Sequence, residues 1–514
     1  MYISLIQQKP PVNKTMFVLF AVALITLSSS NLSGKQYDAP RKIIVAGKID
    51  NYDSSKEVVL EVNRIGFESE EIIAKTDSLG NFKVFFESYI PTDAWLCYKT
   101  NFLVLLHPGD SIYVRFDGKY NDRPQILESI HFSGDAALTN QYASKFQQMY
   151  FSTEIYRNLN KKNKAVKEYE VDQYIQYLDT VLQKNTELYN KFIAENQPNN
   201  ESKNWAKLFI EGDYYDDLSS YARNHRLANN MGSDNKWDVP KDFYDRLLNR
   251  LPVDSSMFIC SHQLSSFSNR FLFRYIHDKL NNELKNLTII DLLTIRRKVD
   301  EIRFSTVVKY TPDPLLRQIM LTEMFEEKFE EQDVRSYERF KDLVETHIKE
   351  PFLKEPLHQK YLQTKLRIEN PKIHTEAVLK EIVDSSVEKA IDDILRQNKG
   401  KVIYIDFWAT WCGACLAEMP NSKVVEHELN KKNVAFVYIC LESEEERWKA
   451  VLDKYQIGGQ HYLFSNKQSA EIRRSFEISG LPFYVLIDKS GVIKEKGSHL
   501  RPFTAKEKIK EMLK

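Results

Sequence analysis

Tyr404-Ile405-Asp406-Phe407-Trp408-Ala409-Thr410-Trp411-Cys412-Gly413-Ala414-Cys415 is the stretch that decides the fold. Its first half is an apolar run rich in β-branched and aromatic residues, the pattern of a buried strand. It runs directly into a Cys-x-x-Cys turn. Two thiols at that spacing can close a small disulfide where a helix begins, and there the orphan N–H groups and the helix dipole favour a thiolate. Structural zinc needs four ligands; no second cysteine pair exists, and His427 and His461 stand alone, so neither a metal nor another cofactor is expected.

Outward from this motif, the pattern alternates between strands and helices from Gly400 to Lys514. Val402 to Trp408 and Val434 to Leu441 read as buried strands. Phe483 to Asp488 and Val492 to Lys496 read as strands joined by the turn Lys489-Ser490-Gly491, and Tyr462 to Phe464 as a shorter one. Helices are expected over Cys412 to Leu429, with Pro420 as a kink, over Glu444 to Tyr455 with Ser443 as cap, over Ser469 to Phe476 and over Thr504 to Leu513. Residues 400–514 therefore predict an α/β domain with a mixed sheet.

The chain has 514 residues, too many for one ordinary core. Lys plus Arg and Asp plus Glu number 72 each, so nothing in the charge points to nucleic acid or an anionic membrane. Lys9 and Lys14 precede a short apolar run, Met16 to Leu27, and small residues Ser28, Ser29 and Ser30 follow. Residues 1–30 thus read as a secretion signal, with an uncleaved membrane anchor as the alternative. Of the five cysteines, Cys440 falls in a buried strand pattern; spacing does not establish a pairing of Cys97 with Cys260.

Residues 42–133 read as β-rich. Ile43 to Ile49, Glu57 to Val62, Glu70 to Thr76, Phe82 to Phe86 and Ser111 to Phe116 are short strand-like runs divided by turns such as Asp77-Ser78-Leu79-Gly80-Asn81 and Pro108-Gly109-Asp110. Their spacing predicts a β-sandwich-like domain. Residues 135–399 read as α-helical, with Gly212 and Gly232 as the only glycines. Apolar residues recur at helical spacing at Tyr142, Phe146, Met149 and Tyr150, along Tyr174 to Phe192, and at Leu316, Ile319, Met320 and Met324, which predicts helix-bundle core. Breaks are expected at prolines including Pro312, Pro314, Pro351 and Pro356. Asp213-Tyr214-Tyr215-Asp216-Asp217 reads as a solvated helix face.

The C-terminal segment resembles the thioredoxin superfamily and, within it, the secreted TlpA/ResA-like thiol–disulfide oxidoreductases. The resemblance rests on Asp406 to Cys415 and on Gly480-Leu481-Pro482 before the strand Phe483 to Asp488. It implies Cys412 as attacking thiol, Cys415 as resolving thiol and Pro482 as a cis-proline facing the disulfide. In cis, Pro482 would expose the backbone of Leu481 to an extended substrate, with Trp411 packed beside the disulfide. Asp406 falls at the family's buried acid position. Glu442 is similar in placement to an acid of some relatives, although Glu444, Glu445 and Glu446 beside it read as a helix start. The segment Phe102 to Ser111 resembles the β-domain that precedes such modules in envelope proteins, and that resemblance transfers no function.

Each role has independent physical sense. Exchange requires a thiolate on an accessible sulfur, the first cysteine of such a turn. The second thiol is buried and must lose its proton before it attacks, which a carboxylate of raised pKa can accept. Asp406 lies in an apolar strand, where desolvation raises it. The expectation is a secreted, periplasmic thiol–disulfide oxidoreductase that reduces protein disulfides and is recharged by a membrane electron donor. The alternative is an envelope partner-binding protein whose redox turn is regulatory or vestigial.

Overall fold

The computed structural model describes residues 38–232, 235–240, 242–244, 253–271, 276, 279–280, 292–381, 386–429 and 433–514. The expected secretion signal lies outside the described residues. No helix among them is long and apolar enough to cross a membrane.

Nine strands between Arg41 and Gly134 form two sheets. One has the order Lys75–Thr76, Asn81–Ser88, Arg41–Asp50, Ser111–Asp117, His131–Gly134; the other has Glu70–Ile73, Val59–Val62, Thr92–Cys97, Asn101–Leu106. Asn81–Ser88 shows why: Phe82, Val84 and Phe86 turn inward while Lys83, Phe85 and Glu87 face water, the period-two alternation of a half-covered strand. The run Glu70 to Thr76 is not one strand, because the chain changes sheets at Ala74, whose N–H bonds the carbonyl of Val58. The hairpin Thr92–Cys97 with Asn101–Leu106 and the helix Arg123–Ser129 add to the strands legible in the sequence.

Asn101–Leu106 is buried at almost every position because the helix Ala137–Phe151 covers it. Asn140 and Gln147 project from that helix and exchange hydrogen bonds of 2.8–2.9 Å with the N–H and C=O groups of Leu105 and Leu103. Two side-chain amides thus take the place of a neighbouring strand and close the sheet edge.

The helical region includes Val171–Asn196, Asn200–Ala228, Ser261–Phe271, Leu292–Tyr310, Pro314–Glu330 and Pro351–Glu369. The aromatic stripes are core: Phe146 packs against Phe192, Trp205 and Phe209. Pro314 and Pro351 open helices, where a missing N–H costs nothing. Pro356 does not break its helix, which continues to Glu369 with Phe352, Leu353 and Leu357 holding the turn in the core. Nor is the cluster around Asp213 a solvated face. Tyr150 donates a 2.7 Å hydrogen bond to Asp213, Ser266 bonds Asp216, Lys162 pairs with Asp217, and burial pushes the Asp213 carboxyl up to about 6. Packing on several sides of the Asn200–Ala228 helix leaves it no free face there. One buried cluster runs from Ile43 to Leu357, so the β-sheets and the helices share a core.

The C-terminal sheet has the order Ala377–Lys380, Gly459–Leu463, Val434–Cys440, Val402–Trp408, Phe483–Ile487, Ile493–Gly497. It takes in a strand and a helix, Val387–Gln397, that sequence reading assigns to the helical region. Val402–Trp408 and Val434–Cys440 pair in parallel and are buried at every position. Alternate residues feed two cores: Tyr404, Trp408, Phe436 and Tyr438 on one face, Ile403, Ile405, Val437 and Ile439 on the other. Helices on both faces explain the unbroken apolar runs.

This domain docks on the helical region through the helix Glu445–Tyr455. Arg447 donates to the Glu331 carbonyl at 2.8 and 3.1 Å and pairs with Asp333, Arg335 pairs with Glu444, and Lys454 pairs with Glu330. Ser443 is not the cap of that helix, which begins after Glu444; its hydroxyl instead binds the Thr410 N–H and the Leu441 carbonyl.

Candidate active site

The strand Val402–Trp408 delivers Cys412 and Cys415 to one end of the sheet, where they form a disulfide. Cys412 precedes the short helix Gly413–Leu416, and its sulfur accepts the Cys415 N–H at 3.2 Å. A second helix, Met419–Glu428, follows after a break at Ala417–Glu418. The break is the form taken by the kink expected at Pro420, which has no N–H for the Leu416 carbonyl four residues back. Cys412 is 6% exposed and Cys415 2%, so the order of access is kept but neither sulfur is open to bulk water in the disulfide form. Cys97, Cys260 and Cys440 are free thiols, and burial pushes those of Cys97 and Cys440 up to about 11 and 12.

Asp406 lies in the same strand with its side chain on the face of Tyr404 and Trp408, whose cluster also holds Cys412, Cys415 and Leu416. It is 2% exposed, its Oδ1 has no hydrogen-bond partner, and its sheet neighbours are Tyr438 and Tyr484. Burial, then the nearby charge of Glu418, pushes its carboxyl up to about 8. Sequence reading missed Glu418. It stands three residues after Cys415, one helical turn on, and that spacing was the available signal. Arg501 and Asn421 hold its carboxylate.

Glu442 sits differently from Asp406. Its carboxylate is taken by the Arg473 guanidinium at 2.7 Å, its N–H bonds the Ser469 hydroxyl, and its carbonyl accepts the Trp411 indole N–H at 3.1 Å. These three anchors hold it at a φ of 49°, in the left-handed region that few non-glycine residues adopt. Glu442 thereby positions Trp411. The Leu481–Pro482 peptide is cis. The strand that follows pairs Phe483 with Phe407, so Pro482 enters the sheet at the end from which the cysteine turn leaves. Leu481 and Trp411 pack on the cluster that contains both cysteines. Among the described residues no group of three or more His, Cys, Asp or Glu side chains is placed to hold a metal.

A mixed sheet covered on both faces, a Cys-x-x-Cys turn at the end of its central strand and a cis-proline at the same end define a thioredoxin-like domain. Residues 400–493 match the thioredoxin-like family. Among curated relatives, the thiol-disulfide oxidoreductase ResA of Oceanobacillus iheyensis is 26% identical over 125 residues, 24% of this chain and 60% of the relative. ResA of Bacillus cereus is 27% identical over 160 residues, 31% of this chain and 84% of the relative. The thioredoxin-like protein YneN of Bacillus subtilis is 30% identical over 115 residues, 22% of this chain and 64% of the relative. The chain thus spans less than two thirds of the length of the first and third of these relatives. A solved thiol:disulfide interchange protein from Chlorobium tepidum is 23% identical, with 23% of this chain and 85% of that one covered and a TM-score of 0.21.

Proposed function

We propose that this chain is a secreted thiol–disulfide oxidoreductase acting on protein disulfides through Cys412 and Cys415. The observation that carries this is the Cys412–Cys415 disulfide with the buried acid Asp406 on the same face of the sheet. In the reducing direction the Cys412 thiolate attacks one sulfur of a substrate disulfide. That bond breaks, a mixed disulfide forms, and the leaving thiolate takes up a proton. The ionised form of Asp406 accepts the Cys415 proton, and the Cys415 thiolate attacks the Cys412 sulfur. The second substrate sulfur leaves as a thiolate that takes up a proton, and the Cys412–Cys415 disulfide is restored. Two electrons pass to the substrate. A carboxyl titrating near 8 is matched to a thiol whose ordinary pKa is about 8.5.

Pro482 and Leu481 would present an extended backbone edge to the substrate, and Trp411 would flank it. The relatives named ResA are thiol-disulfide oxidoreductases, which supports the same chemistry here. A periplasmic location, with the signal cleaved or kept as an anchor, would need a membrane electron donor to regenerate the dithiol. N-terminal sequencing of the envelope protein tests the location: a mature start near residue 31 supports it, and a retained Met1 in a soluble cytoplasmic fraction overturns it.

Trapping tests the chemistry. Cys415→Ser should accumulate mixed disulfides with substrate proteins, and Cys412→Ser should form none and lose insulin-disulfide reduction. Equal trapping by both variants would overturn the assignment of roles.

A further inference from the structure

Trp411, Gly413, Leu416 and Ala417, which flank the two cysteines, line one side of a chamber of about 910 Å³. Its other walls come from residues far away in sequence. The β-region supplies Glu61, Asn63 and Glu68; the helix Ser261–Phe271 supplies His262 and Ser265. Glu323, Glu326 and Glu330 come from the helix Pro314–Glu330. The volume falls within the roughly 300–1,000 Å³ of ligand-binding clefts. An extended peptide segment fits such a space and a folded domain does not.

Two features say what the chamber would accept. First, polar groups on its wall lack partners. Asn63 is 5% exposed; its Oδ1 accepts the Ser69 hydroxyl, but its Nδ2 has no acceptor. Glu326 is 3% exposed; one carboxylate oxygen meets Lys360 and the other has no hydrogen-bond partner. Buried polar atoms in folded proteins are almost always paired, and these two residues line the chamber with one unpaired atom each. Second, the charges do not balance. Glu326, Glu327, Glu330 and Glu331 are matched by Lys360, Arg303, Lys454 and Arg447. Glu61 and Glu68 have no ion pair within 4 Å among the described residues, although the charge of Glu68 reaches Lys454. Burial pushes the Glu323 carboxyl up to about 8, which weakens its negative charge near neutral pH.

We infer that this chamber is the substrate site of the redox turn, walled by the N-terminal β-sheets and helices, and that it admits an extended cysteine-bearing peptide segment with a basic side chain beside the cysteine. The cation is met by Glu61 and Glu68, and a peptide carbonyl by the Asn63 amide. The inference rests on the oxidoreductase reading and adds the class of substrate to it. It gives the region before residue 370 a role in selection.

The test uses the full, reduced chain and two synthetic disulfide peptides that differ only in Lys or Glu beside one cysteine. At low salt, the second-order rate constant for oxidation of the reduced chain should favour the Lys peptide by roughly tenfold, and the preference should shrink in high salt. The double variant Glu61→Gln, Glu68→Gln should bring the ratio below about twofold with the Cys412–Cys415 potential unchanged. Asn269→Trp, at an exposed position on the chamber wall, should lower the second-order rate constant for the peptides relative to that for the small linear disulfide hydroxyethyl disulfide. This variant decides the matter if the double variant fails to fold. Equal rates for the two peptides, or a preference that survives in the double variant, would overturn the inference while the oxidoreductase reading stands. Failure of the wild type to reduce the peptides or insulin would sink both.

Discussion

The central strands of the C-terminal sheet and the strands of the N-terminal sheets are built from similar residues and live in different surroundings. Val402–Trp408 is buried at all its positions, whereas Asn81–Ser88 alternates between core and water. In the second setting a charged residue costs little, because Lys83 and Glu87 simply face out. In the first there is no outward face, and a single acid, Asp406, is held where its charged form is disfavoured. What would be an ordinary carboxylate on one sheet has its pKa pushed up to about 8 on the other.

The largest effect that would break this contrast is catalytic. Asp406→Asn should leave the first attack by Cys412 largely intact and slow the resolving step by about 10²–10⁴-fold. Stopped-flow resolution of a preformed Cys412 mixed disulfide isolates that step. The same defect in Glu442→Gln, with none in Asp406→Asn, would move the role. The buried acid also has a stability signature. Its folded pKa, about 8, lies above its ordinary value of 3.8, so the folded chain holds a proton that the unfolded chain has released. That contribution is complete below about pH 3.8 and is lost as pH rises through about 8. Thermal midpoints of the oxidised protein should therefore fall from pH 5 to 8 more steeply in the wild type than in Asp406→Asn.

Next in size is packing. Ile405→Ala, at a fully buried position between two covered faces, should cost about 2–5 kcal/mol in urea unfolding. Phe85→Ala, at a position 60% exposed, should cost less than about 1 kcal/mol, most of it the lost contact with Lys42. Similar losses at the two sites would erase the distinction between the sheets.

One helix sharpens the comparison further. Arg447 faces the helical region, 9% exposed, and meets Glu331 and Asp333; Lys449, two residues on, pairs with Glu445 at the surface. Arg447→Met should cost about 1–3 kcal/mol and make the thioredoxin-like domain easier to release by limited proteolysis, because it strands buried carboxylates. Lys449→Ala should cost no more than about 0.5 kcal/mol, close to the limit of a denaturation measurement.

Much of the site was legible because its chemistry is local. The strand-to-turn pattern from Tyr404 to Cys415, the acid six residues before the first cysteine, and Leu481-Pro482 ahead of an apolar strand all depend on near neighbours. For Glu442 the sequence shows a place beside the second strand but not that Arg473 takes its carboxylate. Asp213 misled for the same reason: a run of acids and tyrosines looks solvated until a second helix supplies Tyr150. The hairpin Thr92–Cys97 with Asn101–Leu106 was hard to see because its second strand is covered by a helix and lost its alternation.

The sequence by itself determined the thioredoxin-like core, since period, turn residues and the Cys-x-x-Cys spacing are properties of contiguous chain. Only tertiary structure decided that Asp406 is buried, that Cys412 is covered, and that Asn63, His262 and Glu323 line one chamber with Trp411 and Gly413. Those residues are separated by hundreds of positions. Their meeting is set by how the β-sheets, the helices and the redox domain pack, a relation that no local pattern encodes.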